Sequence, residues 1–223
     1  MLDTPMLFSF LFFIAFILEL IFGVAIIYMN PKGKLNRQVF LMSICLCFWS
    51  YGFVMLNSAE SMEVCLFWRR FSAIGWTMGY AIFLHMILIL TGRNNLLKRK
   101  HYVFMYLPAM ICLYIFAISS KISIGQYNFV RGMHGWVNIP VNNIWDMFFY
   151  GYYIIYLIIV LWLLVDWKKS TQDQGQKTQA KIMLGSIIAM GILGTITDVI
   201  LNNVLKNPIP QMAPIFNLIC FWQ

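Results

Sequence analysis

The sequence predicts an all-α integral membrane protein: a polytopic bundle of seven transmembrane helices, with the seventh truncated and the N-terminus outside. Three observations predict it. Hydrophobic residues make up 61% of the chain, charged residues only 11%, and mean hydropathy is +0.75, far from the composition of a soluble domain. The apolar residues fall in continuous runs, and a spanning helix needs about 20 of them. A β-barrel would instead alternate apolar and polar residues in segments of about ten. Finally, Lys and Arg are distributed unevenly between alternate loops.

Taken in order, the runs cover residues 6–28, 39–57, 65–91, 102–119, 143–165, 180–205 and 211–223, within one domain spanning 1–223. The first follows MLDTP, which has no basic residue. It also continues past the 7 to 15 apolar residues of a signal-peptide core, so it reads as a retained helix. The seventh opens among Pro208, Pro210 and Pro214 and has about half the length of a crossing. Either it is cut or it does not span. The loops after the first, third and fifth runs hold 11 of the 16 basic residues, among them Lys32, Arg93 and Lys168. The remaining five are Arg69, Arg70, Lys121, Arg131 and Lys206. By the positive-inside rule this bias places the N-terminus outside the cell in a multi-pass cell-membrane protein.

Several function classes are excluded. The net charge of +8 is explained by that asymmetry, and no basic stripe interleaved with aromatics marks a nucleic-acid partner. His85, His101 and His134 are scattered, without the paired spacing of a bundle metal site. No glycine-rich phosphate loop implies a nucleotide, and the expectation is no cofactor and no metal. Lys206 lies at a helix end, unlike a Schiff-base lysine. Cys45, Cys47 and Cys112 lie inside runs, and the loop 119–143 has no cysteine. No disulfide can tie that loop to Cys65.

Ionisable groups at membrane depth are costly and default to functional readings. In the third run Arg69, Ala73, Trp76 and Tyr80 share one helix face, and Gly75 and Gly79 form a Gly-x-x-x-Gly contact. In the sixth, Gly191, Gly194, Thr195, Asp198 and Asn202 share a face, so Asp198 is expected inside the bundle, packed through small residues. Together Arg69 or Arg70, Trp76, Tyr80, Asp198 and Asn202 border an expected ligand pocket open to the outside. The plain alternative is that the arginines snorkel to headgroups and Asp198 makes an internal hydrogen bond. Glu19 lies 13 residues into the first run and His85 lies 14 past Phe71. These counts place both at one depth, where they can pair as a proton-linked switch or sit neutral in separate hydrogen bonds. The loop 119–143 is long enough to be a binding loop. Tyr127 to Val130 and Met133 to Val137 are expected to form a hairpin, with Arg131, His134 and Trp136 capping the pocket or Trp136 belonging to the interfacial aromatic belt.

Phe67-Trp68-Arg69-Arg70 leading to Gly75 and Leu90-Thr91-Gly92, Tyr106-Leu107-Pro108-Ala109, Gly135-Trp136, Gln179-Ala180-Lys181-Ile182, Ile209-Pro210 and Ala213-Pro214-Ile215 carry a resemblance over nearly the whole chain. The chain resembles the N-terminal seven-helix sensor region of bacterial histidine kinases, a module also found with diguanylate cyclases. The resemblance implies a sensory domain for an extracellular or membrane-borne ligand, whether small molecule, peptide or lipid. It also implies signalling through the last helix to a cytoplasmic output domain, as a homodimer. No phosphoacceptor histidine, ATP-binding region or GGDEF-like segment precedes Gln223, so no catalytic residue is assigned. A competing reading is a small transporter or channel with Asp198, Arg69 and Glu19 along its path. A third is a lipid-modifying enzyme with His85 as base, which lacks a second catalytic group at suitable spacing.

Overall fold

A computed structural model describes residues 4–133, 135–197 and 210–221. Among these, six helices are long and apolar enough to cross a membrane. They are α1 (Thr4–Met29), α2 (Lys34–Asn57), α3 (Met62–Leu90), α4 (Arg99–Leu113, prolonged by a π-helical turn Tyr114–Ile118), α6 (Ile144–Ser170) and α7 (Gln174–Thr195). A short helix α5 (Ser120–Ile124) and strands β1 (Asn128–Gly132) and β2 (Gly135–Ile139) lie between α4 and α6, and α8 (Ala213–Phe221) follows α7. The chain is a polytopic helical bundle, as its composition requires: lipid offers no hydrogen bonds, so each spanning backbone must satisfy its own.

The helix ends explain themselves locally. The Ser61 hydroxyl accepts from the Val64 amide at the start of α3, Asn143 Oδ1 accepts from the amides of Trp145 and Asp146 at the start of α6, and Asp173 does so from Gly175 at the start of α7. Each satisfies backbone donors that have no partner within the helix. Lys168 and Lys169 occupy the last turn of α6, where the helix dipole favours cations. Gly92, with φ +72°, turns the chain after α3 in the left-handed conformation that glycine adopts freely.

Packing is tightest among α1, α2 and α3. A Cβ on Gly52 would lie 2.5 Å from Ser72 Cβ, and one on Gly75 would collide with the Cys45 carbonyl oxygen. Close backbone approach through small residues is how membrane helices associate without a hydrophobic driving force. Only Gly75 of the expected Gly-x-x-x-Gly pair does this, because a Cβ on Gly79 would sit an ordinary 3.8 Å from Met42 Cε. Gly191 and Gly194 of α7 likewise have nothing within 4 Å of a built Cβ among the described residues. Among the described residues, close packing of the kind expected does not run through them.

The two strands pair antiparallel, with Arg131 opposite Trp136. Trp136 Nε1 donates to the Ala59 carbonyl at 2.8 Å, an Arg131 guanidinium N–H donates to Glu60 O at 3.4 Å, and Thr4 Oγ1 donates to Met133 O at 2.9 Å. The hairpin is thus fastened over the α2–α3 turn and the start of α1. This end of the bundle is called the hairpin side below.

Candidate ligand-binding site

Arg69 stands in the second turn of α3, about 10 Å along the axis from Met62. It is buried. Its guanidinium carbon lies 5.2 Å from the Phe53 ring centroid and 5.6 Å from those of Trp76 and Tyr127. Three aromatic faces turned to one cation are attractive through their quadrupoles, more so away from water. Tyr127, just before β1, donates its hydroxyl to Phe116 O at 2.9 Å. Its burial pushes the phenol well above the ordinary tyrosine range, against a smaller downward pull from Arg69.

Arg69, Trp76 and Tyr80 line one cavity of about 200 Å³ on the hairpin side. Its other walls come from the hairpin loop (Gln126, Tyr127, Asn138), from α6 (Asp146, Phe149, Tyr150, Tyr153), from α7 (Gly191, Gly194, Thr195) and from α8 (Ala213, Asn217). Asp146, which sequence reasoning passed over, is buried here. The signal was available: Asp146, Phe149, Tyr150, Tyr153 and Leu157 recur at helical spacing and all line this cavity. Tyr80 meets Phe149, Tyr152 and Tyr153 edge-on or tilted, at centroid distances of 5.5–6.1 Å, so the α3–α6 wall is almost wholly aromatic.

A second cavity of about 190 Å³ continues away from the hairpin. Trp49, Trp76, Tyr80, Leu157, Met190 and Asn217 line both and form the waist between them. Beyond the waist the walls are Phe22, Val39, Met42, Phe83, Met86 and Met183, with Gln179 one of the few polar groups. The two chambers therefore differ sharply in chemistry.

Several expected site residues take other roles. Arg70 is drawn away from the pocket: its Nε donates to Ala117 O at 3.0 Å and a terminal nitrogen to Ile118 O at 2.9 Å. Those carbonyls end the π-helical turn of α4 and need such donors. Trp136 spends its indole N–H on the hairpin tether and does not line the cavity. Asp198, Asn202 and His134 lie outside the described residues. Glu19 and His85 do not pair. Ser50 donates to Glu19 Oε2 at 2.7 Å between α1 and α2, while His85 Nδ1 lies 2.9 Å from Tyr106 Oη between α3 and α4. Gln38 reaches the same Tyr106 hydroxyl at 3.2 Å. It precedes Ser50 by twelve residues on α2, so the two sites are about 18 Å apart along the bundle. The error was one of register, since α3 begins at Met62, nine residues before Phe71.

Among the described residues no cluster of His, Cys, Asp and Glu is suited to a metal. Cys45, Cys47, Cys65 and Cys112 are buried free thiols. No curated protein matches the chain. A family model does, over residues 10–223, and its description, the N-terminal 7TM region of histidine kinase, fits a helical bundle in which a polar, aromatic chamber is walled in part by the start of α8; the chain belongs to that family and is a transmembrane sensory domain.

Proposed function

We propose that the hairpin side faces the outside of the cell and that the chamber bordered by Arg69, Trp76, Tyr80 and Asp146 receives an extracellular or membrane-borne ligand. The ligand's occupancy is signalled through the last helix to a cytoplasmic output domain of histidine-kinase type, acting as a dimer. The excess of Lys and Arg in the loops opposite the hairpin supports the orientation. The observation that carries the sensory reading is that Ala213 and Asn217 of α8 share one cavity with Arg69 of α3 and Asp146 of α6. A molecule held there touches the helix that leads onward. It shifts the output only as far as it prefers one packing of α7 and α8 over another.

His85 is engaged with Tyr106 and stacks near Tyr102 at 4.9 Å between ring centroids, and it lines neither cavity. The Gln38–Tyr106–His85 cluster on α2, α3 and α4 and the Glu19–Ser50 contact are places where a change of helix packing is passed on. Asp198 and Asn202 remain proposed wall residues of the same chamber.

The meeting of the two chambers at the waist favours a second reading, a transport path. The chamber beyond the waist opposes it, since a wall of Phe, Met, Val and Leu offers little to a hydrated solute.

The test fills the chamber from within. Tyr153→Trp in the full-length protein, reconstituted in proteoliposomes, is expected to change basal autophosphorylation of the output region several-fold. Ile155→Trp, on the lipid-exposed face of the same helix, is expected to leave it unchanged. Equal effects from both variants, or solute release through the unaltered protein, would sink the sensory reading.

A further inference from the structure

Resting on that sensory reading, we infer that the hairpin-side chamber takes a small aromatic zwitterion of the amino-acid class. Its ammonium meets Asp146, its carboxylate meets the Trp76 indole N–H on the Arg69 side, and its ring lies among Tyr80, Phe149 and Tyr153.

Several buried polar atoms of the chamber are left unserved among the described residues. Asp146 Oδ2, Trp76 Nε1 and Trp49 Nε1 are buried and have no hydrogen-bond partner among the described residues. Asp146 is 8% exposed and Trp76 6%, and both side chains line the chamber. Buried polar groups are almost always bonded, and those that are not call for a specific explanation. The contrast with Trp136 is instructive, because its indole N–H is fully used at 2.8 Å on Ala59 O. The two kinds of vacancy are complementary. A carboxylate oxygen calls for a donor, and an indole N–H calls for an acceptor.

Charge sharpens the demand. Asp146 stands on the α6 wall and Arg69 on the α3 wall, with the guanidinium 5.6 Å from the Trp76 ring. A molecule with only a positive group answers the Asp146 oxygen and leaves the Trp76 indole N–H without an acceptor, and a molecule with only a negative group does the reverse. A zwitterion serves both atoms. The volume of about 200 Å³ suits one small molecule, and the edge-on aromatic wall suits a ring, which prefers offset or T-shaped neighbours.

The experiment uses three probes on the full chain in lipid nanodiscs: L-phenylalanine, phenethylamine and 3-phenylpropanoate, followed by tryptophan fluorescence and thermal shift. They share a ring and differ only in charge. L-Phenylalanine is expected to bind saturably and about tenfold or more tighter than either singly charged probe. Asp146→Asn is expected to weaken L-phenylalanine by about tenfold while leaving 3-phenylpropanoate the same or better. The unaltered protein decides by itself should Asp146→Asn fail to fold. Binding of phenethylamine or 3-phenylpropanoate as tight as that of L-phenylalanine overturns the proposal, as does saturable binding by none of the three. If no probe binds while Tyr153→Trp still shifts the output, the ligand class is wrong and the sensory reading stands; if Tyr153→Trp is also silent, both fall.

Discussion

Gly52 and Gly75 sit where α2 and α3 nearly touch, whereas a Cβ on Gly191 or Gly194 of α7 would meet nothing within 4 Å among the described residues. All four look alike in sequence: glycine inside an apolar helix. In the first pair the missing side chain lets two backbones meet. In the second it leaves part of a chamber wall without a side chain, as the membership of Gly191 and Gly194 in the cavity lining shows. The bundle thus has a tightly joined part, α1 to α3, and a looser part where α7 and α8 border the cavities. Coupling of a ligand to an output needs both: a fixed wall to bind against and a movable one to displace.

The sharpest way to break that comparison is to add volume to the tight pair. Gly75→Leu would drive a side chain into the Cys45 carbonyl oxygen and place its Cβ 2.8 Å from the Trp49 backbone nitrogen. Neither obstacle is a flexible side-chain end that can swing away. Overpacking typically costs about 1–3 kcal/mol, and with backbone as the obstacle about 3 kcal/mol or more is expected. Denaturation in detergent micelles, followed by helical circular dichroism, reads it. A Gly75→Leu protein as stable as the parent would mean that α2 and α3 are not in backbone contact.

A smaller effect belongs to the tether between the tight part and the hairpin. Trp136→Phe keeps the ring over which Arg131 sits at 5.6 Å and deletes only the N–H bond to Ala59 O. A loss of about 1 kcal/mol is expected, with faster hydrogen exchange in β1 and β2. Unchanged exchange would show that Thr4 and Arg131 hold the hairpin without it.

What sequence could and could not convey follows the same division. The face bearing Arg69, Trp76 and Tyr80 was legible because helical periodicity alone brings i, i+7 and i+11 together. Asp146 obeys the same periodicity with Phe149 and Tyr153, but it lies three residues after the Asn143 cap and reads as a helix-end residue. Its burial depends on how α6 leans on α3, which no local pattern encodes. Arg70 was misread for a related reason. Its partners are carbonyls exposed by the π-helical turn of α4, downstream of Pro108, and that local departure from α-helix is not written in the residues around Arg70. The hairpin was legible in kind and its strands lie within one or two residues of expectation, since Gly132 and Gly135 bracket the turn.

The mildest change carries the opposite sign. Gly191→Ala adds one methyl at a helical position with nothing within 4 Å among the described residues. Alanine loses less backbone entropy than glycine in a helix, by about 0.5–1 kcal/mol, and here no clash offsets the gain. The variant is therefore expected to be more stable than the parent by about that amount, while Gly75→Ala, the same chemical change, is expected to be less stable. Because the new methyl also occupies chamber wall beside Thr195, ligand response should fall even as stability rises. Paired melting curves for the two alanine variants read the sign directly. If both shift downward together, α7 is packed as tightly as α3 and the looser wall assigned to it does not exist.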